Sequence, residues 1–197
     1  MSYLFKGSLH GQICEDCIET LSGIEVRLYL PWRRNNETHE TNGKDNFRIV
    51  SAAEAKQREE LLIAKTTTDA NGNFSFKIEE EYQQAAFDID IICHTVPFAV
   101  KRPEAGQAVQ LHLTTIIPIQ IEYWNFTIPH KIWCNIRGKY FDAWVICGHL
   151  RNCETNRPIA NASVTAWDAD FLTDDNLGTA TTDTNGHFRI DYTSAIF

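Results

Sequence analysis

The chain has 197 residues, enough for one large domain or two small β domains. Apolar residues make up 43% and charged residues 22%, a globular composition that excludes wholesale disorder and a fibre. Lysine and arginine number 18 against 26 acidic residues, and the net charge of -8 argues against nucleic acid or an anionic membrane as the main partner. No apolar run approaches the ~18 residues of a membrane helix, so we expect no membrane insertion.

The N-terminal residues contain no basic segment followed by an apolar one, so the sequence shows no secretion signal. We therefore expect a cytoplasmic protein whose six cysteines are reduced. Such a start is also compatible with release as part of an extracellular particle, because contractile tails and injection particles are assembled from proteins without signals.

Residues 11–60 predict a strand, a turn, a second strand and a long polar segment. A turn at Leu21-Ser-Gly is followed by apolar residues that alternate with polar ones from Ile24 to Leu30, which is typical of a half-buried strand. The polar segment 32–60 contains Ser51-Ala-Ala-Glu54, a capping box that predicts a short surface helix. We interpret this segment as an insertion, either merely tolerated or used for binding.

Residues 61–125 predict a tight turn and several strands. The Asn-Gly pair in the run that starts at Thr67 suits turn positions with positive φ, and strand-like sequence on both sides predicts a hairpin. Alternating apolar residues then predict strands at 74–78, 87–93, 109–113 and 117–121. In the second of these strands, Asp88 and Asp90 fall on the polar face and Cys93 on the inward face.

An aromatic connector is predicted at 126–145. Trp and Tyr are enriched at the centres of protein interfaces, so its aromatic residues and the tryptophan just before it are interface candidates. The alternatives are that they fill a seam between two sandwiches, or that they stack on a sugar. The candidates are Trp124, Trp133, Tyr140, Phe141 and Trp144.

Residues 146–197 repeat the first part of the chain. The run that starts at Thr181 repeats the run at Thr67 with an offset of 114, and the segment at Gly148 matches the segment at Gly11. The predicted hairpin-turn motif consists of Asp69, Asn71 and Gly72 in the first copy and of Asp183, Asn185 and Gly186 in the second. Only eleven residues follow the second motif, so we expect the second sandwich to be incomplete here and to be completed by a partner or by further chain.

The residues that carry this pattern are Gly11, Val26, Thr67, Thr68, Asp69, Asn71, Gly72 and Phe74, and, in the second copy, Gly148, Pro158, Val164, Thr181, Thr182, Asp183, Asn185, Gly186 and Phe188. The pattern resembles the carboxypeptidase regulatory-like domains, which belong with the transthyretin-like (prealbumin-like) β-sandwiches. The resemblance implies an all-β fold with two tandem transthyretin-like antiparallel β-sandwiches. The first would span 1–125 with its insertion at 32–60, and the second 146–197, after the connector 126–145.

The sequence offers little for catalysis. Two enzyme families share this sandwich, but neither the His-x-His pair of the intradiol dioxygenases nor the Tyr-Arg-Gly-Ser ending of the hydroxyisourate hydrolases occurs. There is also no Gly-x-Ser-x-Gly elbow and no Gly-rich phosphate loop. We therefore expect a protein that is not an enzyme, with no catalytic residues, no cofactor-binding residues and no cofactor.

Cys14 and Cys17 are weak candidates for a metal site. One Cys-x-x-Cys supplies two of the four ligands of a structural zinc site, and no second such pair occurs. The residues that could in principle supply others are Cys93, His94, Cys147, His149 and Cys153. A redox pair formed by the first two cysteines is a further alternative.

The resulting prediction is a non-catalytic structural or protein-interaction module of a larger protein or multi-subunit assembly, for which a contractile-tail or injection particle is one example. Its partners would be other protein subunits or downstream domains of the same chain. One alternative is a carbohydrate-binding or adhesive surface module. Another is a metalloenzyme of the intradiol-dioxygenase type.

Overall fold

The structure is a computed structural model, which describes residues 2–14, 16–31, 48–82, 85–100, 108–169 and 174–196. Most of the predicted insertion, residues 32–47, lies outside the described residues. The strands are β1 (Ser2–Cys14), β2 (Cys17–Thr20), β3 (Glu25–Tyr29), β4 (Arg48–Ile49), β5 (Leu62–Thr67), β6 (Asn73–Glu79), β7 (Phe87–Cys93), β8 (Val109–Ile116), β9 (Trp124–Ile128), β10 (Trp144–His149), β11 (Ser163–Ala169), β12 (Asp174–Thr181) and β13 (His187–Tyr192). The α-helices are α1 (Ala52–Arg58) and α2 (His130–Phe141).

The chain divides into two compact units. Unit 1 comprises Met1–His10, Thr20–Thr95 and Pro103–Thr127, and unit 2 comprises Gly11–Glu19, Val96–Arg102 and Ile128–Phe197. The domain boundaries expected from the sequence stay predictions.

Unit 1 confirms the prediction of an all-β sandwich. One antiparallel sheet has the strand order β4-β8-β7-β3-β5, and in the other β1 pairs with β6 and β9. Strand β2, of which Cys17–Glu19 belong to unit 2, also pairs with β1. The alternation predicted for β3 and β6 places their apolar side chains inward, so that Val26 and Leu28 are fully buried and Phe74 and Phe76 nearly so. The ring of Phe5 in β1 stacks on Phe76 at 6.3 Å between centroids. These side chains form the core of unit 1.

Helix α1 covers a strand face that the alternation pattern had predicted to be polar. Every residue of β7 is buried, including Asp88 and Asp90. The N-cap of the predicted capping box is present, since the Glu54 N–H donates to the Ser51 hydroxyl at 3.2 Å. However, Arg58 in the last turn is fully buried and donates to Asp88 at 3.2 Å and to Asp90 at 2.9 Å. The helix therefore packs a charged residue against the carboxylates of β7.

The strand predicted for residues 117–121 is wrong. Residues Pro118–Gln120 form a 3-10 turn, which the Ile121 N–H closes by donating to the Pro118 carbonyl at 3.0 Å. Proline has no N–H to give to a sheet ladder and its φ suits the first position of a helical turn. These two properties outweigh the apolar alternation of the flanking isoleucines.

The two Asx-Gly turns are not hairpins, which corrects the prediction. Strands β5 and β6 flank the first turn but lie in different sheets, since β5 pairs with β3 and β6 with β1. Likewise β12 pairs with β11 and β13 with β10. Each turn therefore carries the chain from one sheet to another, and local turn chemistry cannot distinguish this connection from a hairpin.

Unit 2 contains helix α2, the pair β10-β13 and the pair β11-β12. The helix occupies most of the predicted connector and begins after Pro129, whose carbonyl accepts the N–H groups of Ile132 and Trp133 at 3.0 Å. It ends at Asp142, which adopts the left-handed conformation with φ 50°. Among the described helices, none is long and apolar enough to span a bilayer.

In the structure, the residue of the first copy that is equivalent to Gly148 lies four residues before Gly11, the residue that the sequence match had aligned with it. Gly148 pairs with Phe188 in β10-β13, and the residue that pairs with Phe74 in unit 1 is Gly7, not Gly11. The sequence match had aligned Gly11 with Gly148 because both precede a cysteine-containing segment. In unit 2, Gly11 instead makes room for an indole, since a Cβ there would lie 2.3 Å from Nε1 of Trp133.

Candidate functional site

The repeated turn is held by an aspartate in each unit. Asp69 Oδ1 accepts the backbone N–H groups of Asn71 and Asn73, both at 2.8 Å, while Gly72 has φ +76° and its carbonyl accepts the Leu9 N–H at 3.0 Å. The equivalent bonds in unit 2 are Asn185 and His187 to Asp183, and Leu150 to Gly186. The N–H groups of Asn73 and Asn71 lower the pKa of Asp69, and those of His187 and Asn185 lower the pKa of Asp183. The motif's carboxylates are thus used to fix the backbone.

A threonine before each aspartate completes this framework. The Thr68 hydroxyl donates to the Leu21 carbonyl at 2.7 Å and accepts the Ile24 N–H at 2.9 Å. In unit 2 the hydroxyl of Thr182 donates to Ile159 and accepts from Ala162 at the same two distances. Both threonines are buried, and both act on the backbone of their own unit.

The predicted aromatic candidates do not share one surface. In unit 1, Trp124 is 9% exposed and lies in the aromatic core, 6.1 Å from Phe74 between ring centroids. In unit 2, Trp133 and Phe141 are fully buried, Tyr140 is half-buried and Trp144 is 41% exposed. The ring of Trp144 lies on Gly138 of α2, where a Cβ would come within 2.6 Å of it.

Trp133 instead belongs to a buried charge network in unit 2 centred on Glu19. The Glu19 carboxylate accepts the Trp133 indole N–H at 2.6 Å, Arg137 at 2.7 Å and Arg189 at 3.0 Å. Arg137 is fully buried and also donates to Asp191 at 3.1 Å and to the carbonyl of Pro97 at 3.0 Å. Two arginines face two carboxylates, which balances the charge inside the unit.

Strand β11 has an open edge, which becomes clear when it is compared with β3. Both strands begin directly after the residue whose N–H binds the threonine of the motif, which is Ile24 before β3 and Ala162 before β11. Strand β3 pairs with β5 on one side and with β7 on the other. Among the described residues β11 pairs with β12 alone. The Ala162 carbonyl points toward β12, since it accepts the Thr182 N–H. The backbone N–H and C=O groups of successive residues in a strand point to opposite sides, so the N–H and C=O groups of Ser163 and Thr165 point away from β12. We call these outward groups the β11 edge.

The side chains beside the β11 edge are less covered than their counterparts in unit 1. Val164 and Ala166 occupy the positions of Val26 and Leu28 in the repeat, but they are only half-buried, whereas the unit 1 pair is fully buried. In unit 1, strand β7 places Ile91 opposite Val26. In the described part of unit 2, no strand places an apolar residue opposite Val164 on this side of β11.

The cysteines occupy different environments. Cys93 is fully buried in β7, where desolvation raises the pKa of its thiol to about 12, and Cys153 is exposed. Cys14, Cys17 and Cys147 lie together in unit 2, with their sulfur atoms all within 4.8 Å of one another. Burial raises the pKa of Cys17 and Cys147, and the adjacent Cys14 thiol raises both further.

His149 and His94 had been weighed as further ligands. His149 lies two residues beyond Cys147 on β10, and its Nε2 is 3.4 Å from the carboxylate of Asp16. His94 directly follows β7 in unit 1 and is exposed. Neither histidine belongs to the thiol cluster formed by the described residues.

Sequence reasoning named Cys147 among several possible further ligands without singling it out, and it expected an incomplete second sandwich without identifying the strand whose edge is open. Cys147 lies 130 residues after Cys17, and no local spacing connects the two. The strand pairing of the first copy identifies the edge as that of β11, because β7 pairs with the equivalent strand β3.

No family model matches the chain, and no curated protein matches it either. Among solved structures, it is similar to a Pseudomonas aeruginosa protein proposed to bind carbohydrate, with 12% identity and a TM-score of 0.35 over 65% of this chain and 88% of that one. It is also similar to a streptococcal ancillary pilin, with 12% identity and a TM-score of 0.30 over 96% of this chain. A third similar structure is the SpaE basal pilin of Lactobacillus rhamnosus GG, with 11% identity and a TM-score of 0.34 over 96% of this chain and 75% of that one. The chain spans 50% of the length of the streptococcal pilin. The β-sandwich assignment therefore depends on the sheets described above.

Proposed function

We propose that the chain is a non-catalytic structural module that joins a larger assembly by accepting a strand at the β11 edge. One observation carries the proposal: β3 and β11 are equivalent strands of a repeat, and β3 has a second neighbour that β11 lacks among the described residues. Open strand edges in natural proteins are usually covered, charged or paired. Here two outward-facing residues, Ser163 and Thr165, are uncharged and exposed.

The occupant that fits is an extended segment of a partner polypeptide. Its backbone would bond to the outward groups of Ser163 and Thr165, as β7 bonds to β3. Its side chains opposite Val164 and Ala166 would be apolar, since Ile91 and Ile89 oppose the equivalent residues of β3. We expect residues of this type at every second position of the partner strand.

Strand addition of this kind stabilises both partners through two contributions. Each backbone hydrogen bond is worth about 0.5–1.5 kcal/mol net. Each square ångström of apolar surface removed from water adds roughly 25 cal/mol. The half-buried Val164 and Ala166 provide the apolar surface on this side of the interface.

The test is a proline at the edge, compared with a matched control. Thr165→Pro removes the outward N–H, and proline is tolerated on an edge strand because no β12 bond is lost there. The Thr165 hydroxyl also contacts the Thr179 hydroxyl at 2.9 Å, and this contact is lost in Thr165→Pro. Thr165→Val loses the same contact but keeps the N–H, so the two variants differ in the edge donor.

Each protein is used to recover complexes from the source cells, and amide exchange is then measured in the recovered complex. We expect a stoichiometric partner with the natural chain and with Thr165→Val, its loss with Thr165→Pro, and slower exchange at Ser163 and Thr165 in the complex. Retention of the partner by Thr165→Pro would refute the proposal. Unchanged exchange at these two amides, or recovery of the natural chain without a partner, would refute it as well.

A further inference from the structure

Three thiols from two distant parts of the chain converge in unit 2. Cys14 ends β1, Cys17 begins β2, and Cys147 lies in β10, where it pairs with Arg189 of β13. Their sulfur atoms all lie within 4.8 Å of one another, and all three side chains are half-buried. This arrangement has no role in strand addition at the β11 edge, so the inference below does not depend on the proposed function.

A fourth thiol borders the cluster from helix α2. The Cys134 sulfur lies 3.7 Å from the carbonyl oxygen of Ile13, the residue before Cys14. Cys134 also contacts His130 Nδ1 at 3.4 Å. Cys134 is thus next to the strand that carries Cys14, but it is not one of the three thiols whose sulfur atoms lie within 4.8 Å of one another.

The spacing of the sulfur atoms suits a shared metal ion. Zinc binds thiolate sulfur at about 2.3 Å in a tetrahedron, which places the sulfur atoms roughly 3.8 Å apart. A disulfide would need about 2.05 Å between two of them, and all six cysteines of the chain are free in the structure. Soft thiolate ligands select zinc over magnesium or calcium.

The surroundings also suit a site with negative ligands. Arg189 lies opposite Cys147 in the β10-β13 ladder, so a positively charged residue neighbours the thiolates. The hairpin between β1 and β2 holds Cys14 and Cys17 in the short spacing that structural zinc sites use. Each thiol gives up its proton when the metal binds.

We propose that Cys14, Cys17 and Cys147 bind one zinc ion, with Cys134 as the fourth ligand. The ion would fasten the β1-β2 hairpin to β10 and α2 within unit 2. In this role it would resemble the structural sites of small domains, where metal binding adds directly to folding stability.

The experiment uses the reduced full chain, stripped with a chelator and titrated with Co²⁺ and then with Zn²⁺. We expect a sulfur-to-cobalt charge-transfer band that saturates at one cobalt per chain and is abolished by one equivalent of zinc. Elemental analysis of the natural protein should find one zinc per chain. Chelation should lower the melting temperature, and zinc should restore it.

Three serine variants and a control locate the ligands. Cys147→Ser should weaken zinc binding at least about tenfold, and Cys153→Ser, which changes an exposed cysteine of the same unit, should leave it unchanged. Cys17→Ser keeps the test valid if Cys147→Ser does not fold, because the hairpin residue is not part of the β10-β13 ladder. Cys134→Ser should reduce the intensity of the charge-transfer band without abolishing it.

Equal zinc affinity in the natural chain, Cys147→Ser and Cys17→Ser would overturn the proposal. So would a chelator that removes no metal and leaves the melting temperature unchanged. Mass spectrometry of protein alkylated at lysis provides the redox test, since a disulfide among the three thiols would show a redox pair in place of a metal site. An unchanged cobalt spectrum in Cys134→Ser would overturn the assignment of the fourth ligand.

Discussion

The hydroxyl of Thr182 makes in unit 2 the same two hydrogen bonds that the hydroxyl of Thr68 makes in unit 1, at the same distances of 2.7 and 2.9 Å. What differs is the exposure of the partners. Leu21 and Ile24, the partners of Thr68, are buried, whereas Ile159 is 36% exposed and Ala162 is half-buried. The same chemistry is therefore shielded from water in one unit and accessible to water in the other.

This difference predicts unequal costs for the same substitution. Thr68→Val leaves a buried N–H and a buried carbonyl without partners and should lower the free energy of unfolding by about 2 kcal/mol. Thr182→Val should cost less, since water can replace the hydroxyl. Urea denaturation of both variants and the natural chain checks this, and equal losses would contradict the role given to burial.

Arg58 is expected to be essential to unit 1. Arg58→Met leaves Asp88 and Asp90 buried beside each other without the guanidinium, so we expect a loss of about 3 kcal/mol in the free energy of unfolding. Arg48→Met is the control, because the Arg48 side chain is 35% exposed and its buried partner Glu54 keeps its contact with Arg58 at 3.4 Å. The same urea titration compares the two. A loss in Arg58→Met no larger than in Arg48→Met would show that the network does not stabilise the fold.

The turn carboxylates predict a particular acid dependence. The folded-state pKa values of Asp69 and Asp183 are lowered, so their stabilising contribution is complete above the ordinary carboxyl pKa of about 3.9 and is lost as the pH falls through the lower folded values. The double variant Asp69→Asn/Asp183→Asn keeps the acceptor oxygens but has no charge to lose. It should be less stable than the natural chain at neutral pH, and this difference should shrink below about pH 4.

Urea midpoints measured at several pH values between neutral and acid test this dependence. Asp174→Asn, at an exposed acidic residue on β12, is the control and should run parallel to the natural chain. A stability difference that stays constant, or widens in acid, would contradict the assignment of charge-assisted bonds to the two turns.

Two glycines with positive φ should respond differently to substitution. A Cβ at Gly72 would lie 2.7 Å from the Leu9 carbonyl oxygen, so Gly72→Ala should cost more than about 2 kcal/mol. Gly23 has open space around it, and its counterpart Asn161 already adopts φ 58°. Gly23→Asn should therefore cost less than about 1 kcal/mol. Thermal unfolding separates the two cases, and a large loss in Gly23→Asn would contradict the equivalence of the two positions.

Local chemistry explains which parts of the fold could be predicted. Strands β3, β6, β7 and β8 follow from period-two alternation because apolar residues recur at every second position of each and are buried in unit 1. The capping box at Ser51 and the positive φ of Gly72 and Gly186 follow from bonds between residues close in sequence. These features depend on neighbours that the sequence places side by side.

The remainder depends on residues far apart in the chain. The polar face assigned to Asp88 and Asp90 is buried because Arg58 reaches it from a helix 30 residues earlier. The match of Gly11 with Gly148 was wrong because only strand pairing identifies Gly7 as the equivalent residue. Helix α2 was not predicted, since its aromatic residues favour several structures and a packed environment selects one.

Each copy of the repeat contains a segment whose first and last residues are joined by a backbone hydrogen bond, and the length of this segment differs between the copies. Leu9 and Leu21 are bonded to each other and lie twelve residues apart, whereas Leu150 and Ile159, bonded in the same way, lie nine apart. Three extra residues are thus accommodated between two constant anchors. Cys14 and Cys17 both lie inside the longer segment. Deleting three consecutive residues such as 15–17 would give this segment the length of the second copy and would remove one cysteine of the pair without touching either anchor. The segment can therefore gain or lose a ligand while the hydrogen bonds at its two ends stay the same.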